Sequence, residues 1–131
     1  MQMNRKSKGI NAERELIHLF WNTDSWSAIR AAGSGCSRYP SPDVLAGNSL
    51  RKLAIECKSS KEDNIYLEKK EINELKEFGR RFGAEPWIGI RINLKEWFFL
   101  TLEDIKETEN GYSVSVVLAK RKGLLFEELI R

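Results

Sequence analysis

The stretch Leu53-Ala54-Ile55-Glu56-Cys57-Lys58 holds both the fold and the chemistry of this chain. Side chains of an extended strand point alternately to opposite faces, so Leu53, Ile55 and Cys57 turn inward together. Glu56 and Lys58 then share the other face, about 7 Å apart along the strand. As a solvated ion pair they would contribute at most about 1 kcal/mol. An acid beside an amine on so apolar a strand calls for a chemical reason. Just upstream, Gly47-Asn48 marks a hairpin turn that folds Val44-Leu45-Ala46 back against this strand and carries Asp43 toward Glu56. Two carboxylates held close repel each other unless a cation lies between them. Oxygen ligands of this kind suit Mg²⁺ or Mn²⁺, and such an ion polarises a phosphodiester and acidifies bound water. Lys58 is then placed to orient that water or to stabilise charge developing at phosphorus.

Working outward, an apolar stripe of Ala12, Leu16, Leu19 and Phe20 predicts a helix over 11–21, with Asn11 as its cap. Residues 26–31 read as a strand and 33–42 as a long polar loop rich in Gly, Ser and Pro. Residues 68–82 predict a second helix, with Ile72, Leu75, Gly79 and Phe82 on one stripe and Gly83 at its stop. Strands follow over 87–92, 97–100 and 112–118, with a capped turn at Thr101 and Asp104 between the last two. The order predicts the α/β class: a mixed central β-sheet flanked by helices, in one domain over 1–131. Residues 124–131 carry more apolar surface than a chain end needs, which predicts contact with a partner subunit.

Composition narrows the function classes. A length of 131 residues supports one core, and 41% hydrophobic residues suit a globular domain. No apolar run approaches the ~18 residues of a membrane span, and residues 1–8 are too polar for a secretory signal, so a cytoplasmic protein is expected. Cys36 and Cys57 are too few for a disulfide framework and have no zinc spacing; Cys57 reads as a small core residue. Gly33-Ser34-Gly35 lacks the Lys-Ser/Thr of a nucleotide phosphate loop, and His18 is the single histidine, which leaves no histidine-based activation. Net charge is +3, and basic groups at Arg5, Lys6 and Lys8, at Arg80 and Arg81, and at Lys120 to Lys122 contrast with acids at 103–109. That distribution favours a polyanion partner.

Pro42-Asp43, then twelve residues, then Glu56-Cys57-Lys58 resembles the PD-(D/E)xK nuclease superfamily, whose core is α-β-β-β-α. From residue 8 to about 99 the chain further resembles archaeal-type (also viral) Holliday junction resolvases. The matching stretches are Lys8-Gly9-Ile10-Asn11-Ala12-Glu13-Arg14-Glu15-Leu16, Ile29-Arg30-Ala31-Ala32-Gly33-Ser34 and Pro42-Asp43-Val44-Leu45-Ala46. Ala54-Ile55-Glu56-Cys57-Lys58 and Glu77-Phe78-Gly79-Arg80-Arg81-Phe82-Gly83 follow in the same order.

The resemblance implies a Mg²⁺-dependent homodimer that cuts opposed strands of a four-way DNA junction, with Mn²⁺ able to substitute and no nucleotide cofactor. It implies that Glu13 joins Asp43 and Glu56 at the metal, beside Lys58. Arg14 and Arg30 match arginines that handle DNA; Lys8 and Arg38 are expected to add phosphate contacts. Ser34 matches a catalytic-loop serine, with Ser37 as the alternative, and Phe78 and Phe82 match positions at the dimer interface. Two other readings stay open: a restriction- or repair-type endonuclease of the same superfamily, and a non-catalytic junction-binding module.

Overall fold

Strand β3 (Lys52–Ser60) is paired along both edges and covered on both faces. The computed structural model describes residues 5–31 and 38–131, with side chains from residue 9 onward. Helix α1 (Arg5–Trp21) leads to β1 (Ser27–Arg30), β2 (Val44–Gly47) and β3. Strand β4 (Asn64–Glu68) enters helix α2 (Lys69–Phe82), followed by β5 (Glu85–Ile92) and β6 (Glu96–Leu100). Then come a 3-10 turn (Leu102–Asp104), β7 (Lys106–Glu107), β8 (Gly111–Ser115), and helices α3 (Val116–Lys122) and α4 (Phe126–Leu129). A five-stranded sheet runs β1-β2-β3-β5-β6, with β3 antiparallel to β2 and parallel to β5. A smaller sheet runs β4-β8-β7. This is the mixed α/β class that the sequence predicts.

The period of two sorts the core into two layers. Leu53 and Ile55 turn toward α1 and join Ala12, Leu16, Phe20, Val44 and Phe99. Ala54 turns the other way and joins Ile72 and Leu75 of α2 with Ile88 and Ile90 of β5. Each large side chain buried in this way stabilises the fold by roughly 1.5–3 kcal/mol. Gly83 ends α2 at φ 77°, a left-handed conformation that a side chain resists, and its N–H reaches Gly79 O. At Gly79 itself a Cβ would stand 2.8 Å from Ala84 O, so the return into β5 needs glycine there.

Several elements depart from the sequence reading. Helix α1 begins at Arg5, so Asn11 lies inside it rather than capping it; its first turns lack the apolar spacing that announces a helix. Strand β4 was not expected; only Ile65 and Leu67 of its five residues are buried, too short a pattern to stand out among charges. The strand expected over 112–118 stops at Ser115, whose Oγ accepts the Leu118 N–H at 3.0 Å and caps α3. Val116 and Val117 are β-branched and mimic strand, but the cap decides. Lys120, Arg121 and Lys122 therefore occupy the last turn of a helix, where cations favour the dipole.

The apolar C-terminal segment is used within the chain. Phe99 and Leu124 exchange backbone hydrogen bonds at 2.9 and 2.8 Å, and Leu129 is buried against α1 and the sheet. Only Leu125 remains substantially exposed there among the large apolar side chains. Of the four tryptophans, Trp26, Trp87 and Trp97 are core residues, while Trp21 is exposed and donates its indole N–H to Ala28 O. Among the described residues no helix is long and apolar enough to cross a membrane.

Candidate active site

In the β2–β3 hairpin Val44 stands opposite Ile55, so one further residue brings Asp43 opposite Glu56. Three hydrogen bonds hold Asp43 there. Its N–H donates to Ile55 O at 3.1 Å, its carbonyl accepts the Ala31 N–H at 2.9 Å, and Oδ2 accepts the Cys57 N–H at 2.9 Å. Upstream of Val44 the β2 partner ends, while β3 continues to Ser60. The fork between the two strands is where the candidate side chains gather.

From the α1 side come Glu13 and Arg30. Arg30 shares the face of buried Ala28, two residues earlier, and its Nη1 lies 3.6 Å from Glu13 Oε1. Burial, reinforced by the charge of Asp43 and opposed by Arg30, pushes the Glu13 carboxyl up to about 7. From the α2 side come Glu56 and Lys58, and Lys58 Nζ is 2.6 Å from Glu71 Oε2. Burial, then Asp43 and Glu71, push Glu56 up to about 10, with Lys58 pulling the other way. Burial opposes the Lys58 charge, but Glu71, Glu56 and Asp43 outweigh it, so the ammonium holds its proton more tightly than usual. The Cys57 thiol is pushed well up by burial and by these same carboxylates, which makes it inert at neutral pH, in keeping with a core role.

The Asp43 carboxylate thus raises the proton affinity of both Glu13 and Glu56, as a neighbouring like charge does. The donors are all carboxylate oxygens, the chemistry of a hard divalent cation. Among the described residues no three His, Cys, Asp or Glu side chains form a ready-made metal cluster. Mg²⁺ in phosphoryl-transfer sites is commonly held by one or two carboxylates, with waters and substrate phosphate completing the shell. Asp43 and Glu56, with Glu13 beside Asp43, fit that mode.

A family model described as archaeal Holliday junction resolvase (Hjc) matches residues 4–131. The chain belongs to the archaeal Holliday junction resolvase family. The crossover junction endodeoxyribonuclease Hjc of Archaeoglobus fulgidus is 38% identical over 130 residues, covering 94% of this chain and 95% of that protein. The Hjc of Sulfolobus acidocaldarius is 35% identical over 131 residues, covering 98% and 90% respectively. The solved structure of Archaeoglobus fulgidus Hjc, a Holliday junction resolvase from a hyperthermophile, superposes with a TM-score of 0.84 at 36% identity, covering 92% of this chain and 96% of that one.

In this resolvase the fork unites four of the side chains expected from sequence: Glu13, Asp43, Glu56 and Lys58. Arg30 joins them through Glu13. Arg14 is exposed on α1, and Arg38 is exposed with its guanidinium 5.8 Å from the Tyr39 ring centroid. Ser34, Cys36, Ser37 and the side chain of Lys8 lie outside the described residues. Phe78 and Phe82 stack at 5.1 Å on α2, Phe78 against the core and Phe82 45% exposed. Glu71 was not foreseen. Its one sequence signal is a place in the first turn of a helix that starts after Glu68, where acids are common for other reasons.

Proposed function

We propose that this resolvase performs its reaction by metal-assisted hydrolysis, with Glu13, Asp43 and Glu56 holding Mg²⁺ or Mn²⁺ and Lys58 beside them. The activity, cleavage of crossover junctions in DNA, follows from membership of the family. The observation that carries the site reading is the hydrogen bond from the Cys57 N–H to Asp43 Oδ2, which seats the hairpin acid against the acid–lysine strand. A bound cation supplies Lewis-acid polarisation of the phosphodiester and a more acidic water. Lys58, kept protonated by its acidic surroundings, stabilises negative charge growing on the phosphoryl oxygens. Arg30, tied to Glu13, holds the scissile strand's phosphate at the fork.

Lys8, Arg14 and Arg38 are assigned to phosphate contacts farther along the strands, and Ser34 to the catalytic set. Contacts of this kind make affinity fall steeply with salt, and recognition rests on junction shape. Two opposed cuts need two sites, and a closed two-fold pair supplies them. The partly exposed Phe82 ring, stacked on Phe78, supports an interface there. A labelled four-way junction and a linear duplex of equal length, each with and without Mg²⁺, test the reading. Paired nicks are expected in the junction alone and with Mg²⁺ alone. Equal cutting of the linear duplex would favour a restriction- or repair-type endonuclease, and binding without cutting would favour a non-catalytic module.

A further inference from the structure

We infer that Glu71 is a positioning residue for the reaction, holding the Lys58 ammonium at the fork through a carboxylate that is itself locked into the first turn of α2. The inference rests on the site reading above, in which Lys58 serves the chemistry. Two contacts define Glu71. Its Oε1 accepts the Glu68 backbone N–H at 3.0 Å, so the side chain closes the start of the helix. Its Oε2 lies 2.6 Å from Lys58 Nζ.

Lysine ends a flexible stem of four carbons, and its ammonium has no preferred direction of its own. On β3 the Lys58 backbone is fixed by pairing with Ile90, but its head group is aimed by whatever anion it meets. That anion is Glu71, and both side chains are largely withdrawn from solvent, at 29% and 23% exposure. A short charge-assisted bond in such surroundings keeps a direction that a surface pair would lose. Helix α2 is in turn packed on the core through Ile72 and Leu75. The position of Lys58 is thereby coupled to a rigid element rather than to a loop.

The substitution Glu71→Gln keeps an oxygen for the Glu68 N–H, and hence the helix cap, while removing the charge that Lys58 meets. Single-turnover cleavage of a four-way junction in Mg²⁺ should slow by about 10- to 100-fold, the cost of a misplaced catalytic group. The junction Kd in Ca²⁺ and the melting temperature should stay close to wild type. In a Lys58→Ala background the same substitution should change the rate by less than about twofold, because a residue acting only through Lys58 has nothing left to position. Glu71→Asp, shorter but charged, should recover part of the rate. A loss of the same size with and without Lys58 would overturn the inference, as would a Glu71→Gln enzyme that cuts like wild type. A Lys58→Ala enzyme that cuts at the wild-type rate is a separate failure: it removes Lys58 from the site reading and the inference with it.

Discussion

Asp43 and Cys57 are joined side chain to backbone across the β2–β3 fork, Oδ2 to N–H at 2.9 Å. The acid of one motif is thus anchored on the residue that separates Glu56 from Lys58 in the other. In the proposed site the carboxylates serve the metal, while Arg and Lys side chains are proposed to grip DNA.

Asp43→Asn and Glu56→Gln should each lower cleavage by about 100-fold or more, the scale of losing a group that stabilises charge in the transition state. Junction affinity in gel-shift or fluorescence titration should change little, since phosphate contacts come from Arg and Lys. Ca²⁺, which tolerates looser geometry, should support binding without turnover. A variant that still cuts near the wild-type rate takes that residue out of the site.

Lys58→Ala should lose most activity while Mn²⁺ affinity, measured by isothermal titration, stays within a few-fold. A protonated lysine offers no lone pair to a cation. A large drop in affinity would mean that Lys58 acts by holding Glu56 and Glu71 in place.

Light scattering at micromolar concentration should report twice the 15.1 kDa chain mass. Phe82→Glu should shift the protein toward monomer, because it places a charge on the exposed ring of the Phe78–Phe82 stack. The C-terminal apolar segment offers less free surface, since most of it is packed on its own sheet and only Leu125 is exposed among its apolar side chains. A monomeric wild type that still makes paired cuts would end the dimer proposal.

Arg51 binds Glu85 with two hydrogen bonds of 2.8 Å and also donates to the Leu129 and Arg131 carbonyls, tying the chain end to β5. Arg51→Ala should cost about 1–3 kcal/mol, since the loss leaves those acceptors without their donor. Glu85→Gln should cost less, about 1 kcal/mol or below, because its side chain is 42% exposed and water screens the pair. The Arg51 hydrogen bonds hold the Glu85 carboxyl below its ordinary range, against the effect of burial. A lowered folded-state pKa gives stability that is present above the unfolded value, near 4.3, and lost as pH falls through the folded one. Melting curves of wild type and Glu85→Gln should therefore differ at pH 7 and converge as the pH falls through the folded-state value. A constant difference across that window would contradict the assignment.

The two helices and the strand at 52–58 were legible in sequence because each carries a long apolar period that few other conformations satisfy. The same period told which residues of β3 face inward and placed Glu56 and Lys58 together. Asp43 was legible as a candidate through Gly47-Asn48, a strong turn signal, although the turn left the register open. Strand β4 and helix α3 were hidden, one by its brevity and the other by two valines that look like strand. Their existence depends on partners distant in sequence: β4 lies against β8, and α3 rests on β6 and β8.

Local spacing alone was enough for the α/β class, for the alternation of β3 and for naming the candidate acids and lysine. Tertiary structure alone decided which of them meet. The fork exists because β2 stops while β3 continues, and the ties of Glu13 to Arg30 and of Lys58 to Glu71 span 17 and 13 residues. No local period encodes contacts at those separations; they are set by how helices pack on a twisted sheet. The destiny of the C-terminal segment was decided in the same way, since an apolar stripe records that it will be buried and not against what.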